Sequence, residues 1–207
     1  MPRRNRADSR SVEPNKAVFL DRDGTIIEDL GYLDDPGKIL FIPGAREAMR
    51  ALQEAGFLLV LITNQSGVAR GYFSEDLCRK IDERLREVLS RTGVNLDGSY
   101  YCPHLPGAVA TEYDMKCGCR KPAPGLFEKA ARELHIDFSK SWAVGDMLRD
   151  LAPAKQLGAK TILVLTGKGG TQLKDENCAR TADFVVDDIA GAADAILRGR
   201  GNADLLS

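Results

Sequence analysis

The run Phe57-Leu58-Leu59-Val60-Leu61-Ile62 contains no polar residue, and a strand of that kind has to be covered on both of its faces. Ala17-Val18-Phe19-Leu20 precedes it. Ser141-Trp142-Ala143-Val144, Thr161-Ile162-Leu163-Val164-Leu165 and Asp183-Phe184-Val185-Val186 come later in the chain, and a short strand is expected near Gly98-Ser99-Tyr100-Tyr101. Segments of helical period lie between them. Pro43-Gly44 opens a helix with Ala45, Ala48, Met49, Leu52 and Ala55 on one face, and Gly56 stops it. Ser74 caps a second helix whose stripe is Leu77, Ile81, Leu85, Val88 and Leu89. A third begins at Pro124-Gly125 and turns Leu126, Phe127, Ala130, Ala131 and Leu134 inward. Leu148 to Leu157 and Ile189 to Leu197 read as two more. This alternation predicts an α/β fold, with a central parallel sheet and helices on both faces.

The 207 residues suit one domain over 16–198. Residues 1–15, with four arginines among Asp, Ser, Glu and Pro, are expected to be a flexible N-terminal tail, and 199–207 a C-terminal tail. A formal net charge of -1 gives no reason to expect nucleic acid or an anionic membrane as partner. No apolar run reaches bilayer length and no secretory signal heads the chain, so a cytoplasmic protein is expected, a monomer by default.

Active sites of open parallel sheets gather at the carboxyl ends of the strands. After the first predicted strand come Asp21 and Asp23. After the second comes Thr63-Asn64-Gln65-Ser66, and after Val144 come Asp146 and, one helical turn on, Asp150. Lys121, beside Arg120, stands at a helix entrance. Carboxylates, a hydroxyl and a lysine thus converge on one edge, as phosphoryl transfer requires. A phosphate monoester is dianionic, so an anionic nucleophile reaches it only when magnesium and a cation screen the charge. Asp21 suits the nucleophile that forms an aspartyl-phosphate. Asp23 suits the acid that protonates the leaving oxygen and then takes a proton from water. Asp146 would hold magnesium opposite Asp21, and Asp150 would order the water around it. Thr63 would donate to a phosphoryl oxygen while Lys121 neutralises developing charge.

Cys102, His104, Cys117 and Cys119 fall within one long irregular stretch, 102–121, which calls for a local stabiliser. Three thiolates and an imidazole make a closed, structural zinc site. Cys78 and Cys178 read as buried free thiols.

At these residues the chain resembles the haloacid dehalogenase superfamily of phosphatases. The four motifs are matched by Asp21-Arg22-Asp23-Gly24-Thr25, Ile62-Thr63-Asn64, Arg120-Lys121-Pro122 and Val144-Gly145-Asp146-Met147-Leu148-Arg149-Asp150, and the likeness covers about 16–168. The resemblance implies a Rossmann-like fold and magnesium bound by Asp21, Asp146 and the main-chain carbonyl of Asp23. The 39 residues 24–62 leave no room for a large cap domain.

Cys-x-His followed by Cys-x-Cys-Arg-Lys-Pro narrows the likeness to a zinc-containing subfamily, the heptose 1,7-bisphosphate phosphatases and the related histidinol-phosphatase domain. Gly31-Tyr32, the run Thr63 to Gly71 and Tyr100-Tyr101-Cys102-Pro103-His104 favour the heptose enzymes. That resemblance implies removal of the C7 phosphate of D-glycero-D-manno-heptose 1,7-bisphosphate, within heptose supply for lipopolysaccharide. A histidinol-phosphate or broader sugar-phosphate phosphatase is the alternative. It further implies a small phosphorylated sugar as the partner, lined by Asp29, Leu30, Gly31, Tyr32, Thr63, Asn64, Gln65 and Ser66. Arg120 and Lys121 would meet phosphate, and the zinc loop would fix their position. Some relatives place Lys where this chain has Met147, which puts the second phosphate's affinity in question. A zinc-stabilised binding module without catalysis is the rival of a different class, disfavoured because Asp21, Asp23, Thr63, Lys121 and Asp146 are all present.

Overall fold

A computed structural model describes residues 13–199. Of the tails expected at 1–15 and 199–207, residues 1–12 and 200–207 lie outside the described residues. Asn15, which composition assigns to the tail, is tied into the fold: its N–H bonds to His135 O at 2.8 Å and its amide bonds to Leu134 O at 2.8 Å. Only a contact more than a hundred positions away along the chain fixes that residue, which is why local composition misplaces it.

Six strands form one parallel sheet: β1 (Ala17–Leu20), β2 (Leu58–Asn64), β3 (Gly98–Cys102), β4 (Trp142–Gly145), β5 (Lys160–Val164) and β6 (Phe184–Val186). Their order across the sheet is β3-β2-β1-β4-β5-β6. The order reverses between β1 and β4, where a ligand crevice opens in folds of this class.

Alternation along each strand divides the core between the two faces. Val18 and Leu20 pack with α1 (Ala45–Glu54), α2 (Glu75–Ser90) and α7 (Ile189–Arg198). Ala17 and Phe19 face α3 (Gly125–Leu134), α4 (Leu148–Gln156) and α6 (Cys178–Thr181). Ser74 caps α2 as its sequence suggests, its hydroxyl accepting from Leu77 N–H at 3.2 Å. The buried stripe of α2 is Cys78, Ile81, Leu85 and Leu89, while Leu77 and Val88 are only half-buried.

Two features depart from the sequence expectation. Strand β2 runs on through Thr63 and Asn64, because these residues continue the ladder opposite Tyr101 and Cys102. The segment after β5 carries α5 (Gly169–Gln172) and α6, helices of four residues that are too short to leave a periodic signal. Between Asp23 and β2 lie only a 3-10 turn at Pro36–Lys38 and α1, with no cap domain. Among the described residues no helix is long and apolar enough to cross a membrane.

Candidate active site

Parallel register builds the site. Leu20 pairs with Val144, and Asp21 N–H continues the ladder to Val144 O at 3.0 Å, so Asp21 emerges beside Gly145-Asp146. Oxygens of Asp21, Asp146 and Asp150 all lie within 4.8 Å of one another. Lys121, 2% exposed, reaches into the cluster from the end of the cysteine loop. Its Nζ donates to Asp21 Oδ1 at 2.7 Å and to Ile62 O at 2.6 Å, and pairs with Asp150 Oδ1 at 2.7 Å. The Asn64 side chain clamps the Lys121 backbone on both sides, Nδ2 donating to its carbonyl and Oδ1 accepting from its N–H, each at 3.0 Å.

Three clustered carboxylates with one lysine leave a negative excess, and the titration of the group reflects it. Burial pushes the Asp21 carboxyl up, against the pull of Lys121 and with the Asp150 charge adding to burial. Burial opposes the Lys121 ammonium, but the Asp150 and Asp21 charges outweigh it and hold the group above its usual range. Asp146 is pushed up to about 7, by burial first and then by the Asp21 charge. Among the described residues its Oδ2 accepts a main-chain hydrogen bond, from Lys168 N–H at 2.8 Å, and no side-chain one. That carboxylate sits in a cradle of backbone, since a Cβ at Gly24 (φ +80°) or Gly167 (φ +56°) would collide with it. A buried carboxylate cluster with this charge deficit and oxygen-only donors fits a magnesium ion. Asp150 is also tied to protein through each oxygen, Oδ1 pairing with Lys121 and Oδ2 accepting from Met147 N–H at 3.1 Å.

The cleft is lined by Asp21, Asp23, Asp29, Gly31, Tyr32, Thr63, Asn64, Gln65, Ser66 and Arg120 among those expected from sequence. Leu30 and Lys121 are the exceptions: Lys121 is buried beneath Asp21, and the Leu30 side chain is half exposed beside the Asx turn that Gly31 N–H closes on Asp29 Oδ1 at 2.9 Å. Sequence reasoning misses Arg70, Arg149 and Lys168 as lining residues. Lys168 comes after a strand end as Asp21 and Asp146 do, so the same rule would have found it; its Nζ pairs with Asp29 Oδ2 at 3.3 Å. Arg149 lies inside the last of the four motifs, where the aspartates alone signal chemistry. Burial, and then the nearby charge of Arg149, hold the Arg120 guanidinium below its usual range, with Arg70 adding to the effect. Three guanidinium groups therefore gather at the cleft mouth, although Met147 supplies no charge.

Below the mouth, the cysteine cluster closes on itself. Its sulfurs lie 3.1, 3.3 and 3.6 Å apart, and His104 Nδ1 lies 3.3 Å from Cys119 Sγ and 3.7 Å from Cys102 Sγ. A tetrahedral zinc with three sulfur ligands and one nitrogen has edges of roughly 3.5–3.8 Å. The four donors are gathered as such a site requires, although three of the five distances are shorter than the edges of the filled polyhedron. The loop is tied down twice more. Arg120 Nη1 donates to His104 O at 3.1 Å, and Glu75 accepts from the hydroxyls of Tyr101 at 2.6 Å and Tyr113 at 2.9 Å. Cys78 and Cys178 are buried and free, as expected.

A parallel sheet whose switch point holds this carboxylate–lysine cluster defines a phosphoric monoester hydrolase of the haloacid dehalogenase type. A family model described as HAD-hydrolase-like matches residues 118–192. A D-glycero-beta-D-manno-heptose-1,7-bisphosphate 7-phosphatase of Haemophilus ducreyi is 47% identical over 174 residues, 83% of this chain and 95% of the relative. The Escherichia coli K12 protein of the same name is 45% identical over 182 residues, 87% and 93% of the two chains. The crystal structure of D,D-heptose 1,7-bisphosphate phosphatase from B. bronchiseptica, complexed with magnesium and phosphate, superposes with a TM-score of 0.80. It is 35% identical and is matched over 89% of this chain and 99% of that one. The chain belongs to the family of heptose-1,7-bisphosphate 7-phosphatases.

Proposed function

We propose that this chain hydrolyses the C7 phosphate of D-glycero-D-manno-heptose 1,7-bisphosphate, leaving the 1-phosphate. The relatives' names specify the β-anomer, which favours the β-bisphosphate. The observation that carries the reading is the pairing of one buried lysine with the Asp21 carboxylate at the sheet's switch point, below a mouth of three arginines.

An Asp21 oxygen attacks phosphorus as the bond from phosphorus to the C7 oxygen breaks, giving an aspartyl-phosphate and a sugar hydroxyl. Asp23 delivers the proton which that oxygen takes up. Water then attacks the same phosphorus and loses a proton to Asp23, releasing phosphate and restoring Asp21. Lys121 holds Asp21 Oδ1 and offsets charge through both steps, and Asp150 keeps Lys121 in place. Thr63 donates its hydroxyl proton to a phosphoryl oxygen. Magnesium, held by Asp21, Asp146 and the Asp23 carbonyl, screens the phosphate dianion when bound. Arg120, Arg149 and Arg70 take the phosphate that stays on the sugar, and guanidinium forks suit its oxygens. Arg149 thereby supplies the charge that Met147 lacks. Cys102, His104, Cys117 and Cys119 would hold zinc, which would fix the loop that carries Arg120 and Lys121.

Phosphate release from both anomers of the heptose bisphosphate and from histidinol phosphate, with and without magnesium, tests the assignment. Magnesium-dependent turnover highest on the β-bisphosphate and abolished by Asp21→Asn is expected. Preference for histidinol phosphate would overturn the substrate while leaving the mechanism standing.

A further inference from the structure

Behind the reacting groups lie two buried side chains, Arg22 and Gln65, that none of the proposed chemical steps uses. Arg22 is 3% exposed although it carries a full charge. Its Nε donates to Asp23 Oδ1 at 3.2 Å, and its Nη2 donates to Asp23 Oδ1 at 3.1 Å and Oδ2 at 3.0 Å. The same Nη2 donates to Gln65 Oε1 at 3.0 Å. Gln65, 5% exposed, in turn donates from Nε2 to Asp23 Oδ2 at 3.0 Å and to Thr63 Oγ1 at 2.8 Å.

The donor and acceptor roles in this chain are forced. A guanidinium has donors only, so the atom of Gln65 that faces Arg22 must be its carbonyl oxygen. The amide therefore cannot reverse, and its NH2 faces Asp23 and Thr63 with both protons engaged. An amide NH2 only donates, so the Thr63 hydroxyl accepts from it and its own proton is directed elsewhere. Thr63 lines the cleft, so that proton is free to meet a phosphoryl oxygen. Gln65 is itself anchored, its N–H donating to Cys102 O at 2.8 Å, on the first residue of the cysteine cluster.

We infer that Gln65 is a positioning residue, set in one sense by Arg22, that holds the Asp23 carboxylate in place and fixes the Thr63 hydroxyl as a donor toward the substrate. It is not a direct sugar contact. The inference rests on the roles proposed for Asp23 and Thr63.

Gln65→Met removes both donors at nearly constant volume, and Gln65→Glu keeps the shape but turns the NH2 into an acceptor. Each is assayed as magnesium- and zinc-loaded protein on the heptose bisphosphate and on 4-nitrophenyl phosphate. The phenolate of the aryl ester leaves without a proton, so its release does not need Asp23 as acid. A displacement of about 1 Å in a catalytic group costs on the order of a hundredfold in rate. On the bisphosphate, kcat is expected to fall about 10- to 100-fold in both variants, with KM within about threefold of the parent. With the aryl ester, the pre-steady-state burst of nitrophenolate, which draws on Thr63 but not on Asp23 as acid, is expected to slow less than turnover, which draws on both. Arg22→Lys should behave alike, and adding it to Gln65→Met should cost little more, because both disrupt one chain of contacts.

A rise in KM with kcat preserved would overturn the inference and make Gln65 a sugar contact. Parent-like kinetics in the folded Gln65→Glu protein would overturn it as well, even if Gln65→Met failed to fold. An equal fall of burst and turnover would leave Gln65 a merely structural residue and would also overturn it. Failure of the unaltered chain to turn over the bisphosphate would instead refute the proposed function, and the inference with it.

Discussion

The Asp146 carboxyl titrates near 7 because it is buried beside Asp21 with no cation of its own, against an ordinary value of 3.8. Between those two values the metal-free folded chain binds a proton that the unfolded chain releases. Folding stability therefore falls as pH rises through this window and stays low above it. The displacement corresponds to about 4 kcal/mol as an upper bound. Asp146→Asn abolishes the ionisation and keeps an acceptor for Lys168 N–H. Without magnesium, the variant is expected to come close to the parent at pH 4, near the foot of this window, and to exceed it at pH 8. At about 2–4 °C per kcal/mol, the gain in Tm at pH 8 should be several degrees. Saturating magnesium should close or reverse that gap, since a hundredfold excess over Kd stabilises the parent by about 2.7 kcal/mol. The variant should gain little and turn over no substrate. Thermal unfolding at both pH values, in magnesium-free buffer without chelator so that the cysteine cluster keeps its metal, reads the effect. Equal Tm values at pH 8 without magnesium, or the same magnesium-induced shift in both proteins, would refute the account.

Cys117→Ser is expected to lower bound zinc below one per chain and to raise KM more than it lowers kcat, because the cluster carries Arg120 to the cleft. Metal analysis alongside steady-state kinetics checks this, and a zinc-free protein with parent kinetics would contradict it. Arg149→Ala should raise KM for the bisphosphate about tenfold, in line with about 1.5–3 kcal/mol for a charged hydrogen bond. KM for 4-nitrophenyl phosphate, which has no second phosphate, should stay near the parent value. Parallel changes on both substrates would place Arg149 at the reacting phosphate instead.

Much of the fold was legible because each buried strand is an unbroken apolar run and each long helix has one apolar face. The reacting residues were legible for a related reason. Once the strands are located, parallel topology sends the residues just beyond β1 and β4 to a single crevice, and Asp21 and Asp146 are simply the next polar residues. The features that stayed hidden depend on contacts far apart in sequence. Gln65 reads as one more polar residue of a cleft loop until Arg22, which lies 43 positions earlier, dictates which way its amide faces. The pairing of Asp150 with Lys121, which arrives from another loop, is equally invisible along the chain. Leu30 and Asp29 are neighbours, yet a two-residue turn sends one outward and the other toward Lys168.

The distribution of charge explains why a chain with Met147 can still serve a substrate bearing two phosphates. The floor holds Asp21, Asp146 and Asp150 against one lysine, so it repels a phosphate unless a divalent cation is present. The mouth holds Arg70, Arg120 and Arg149, close enough that two of them depress the third. Like charges gathered there raise the energy of the empty cleft, and an anion placed among them relieves that repulsion as well as forming its own hydrogen bonds. On the proposed roles, the two phosphates would meet opposite electrostatic problems, the reacting one solved by the metal and Lys121 and the retained one by the arginines. A cation at position 147 would sit next to the metal-binding Asp146, whereas Arg149 brings its charge to the mouth, where it serves the retained phosphate without neutralising the floor. Selectivity for a bisphosphate over a monophosphate should therefore follow the arginines at the mouth and be separable, variant by variant, from the chemistry at Asp21.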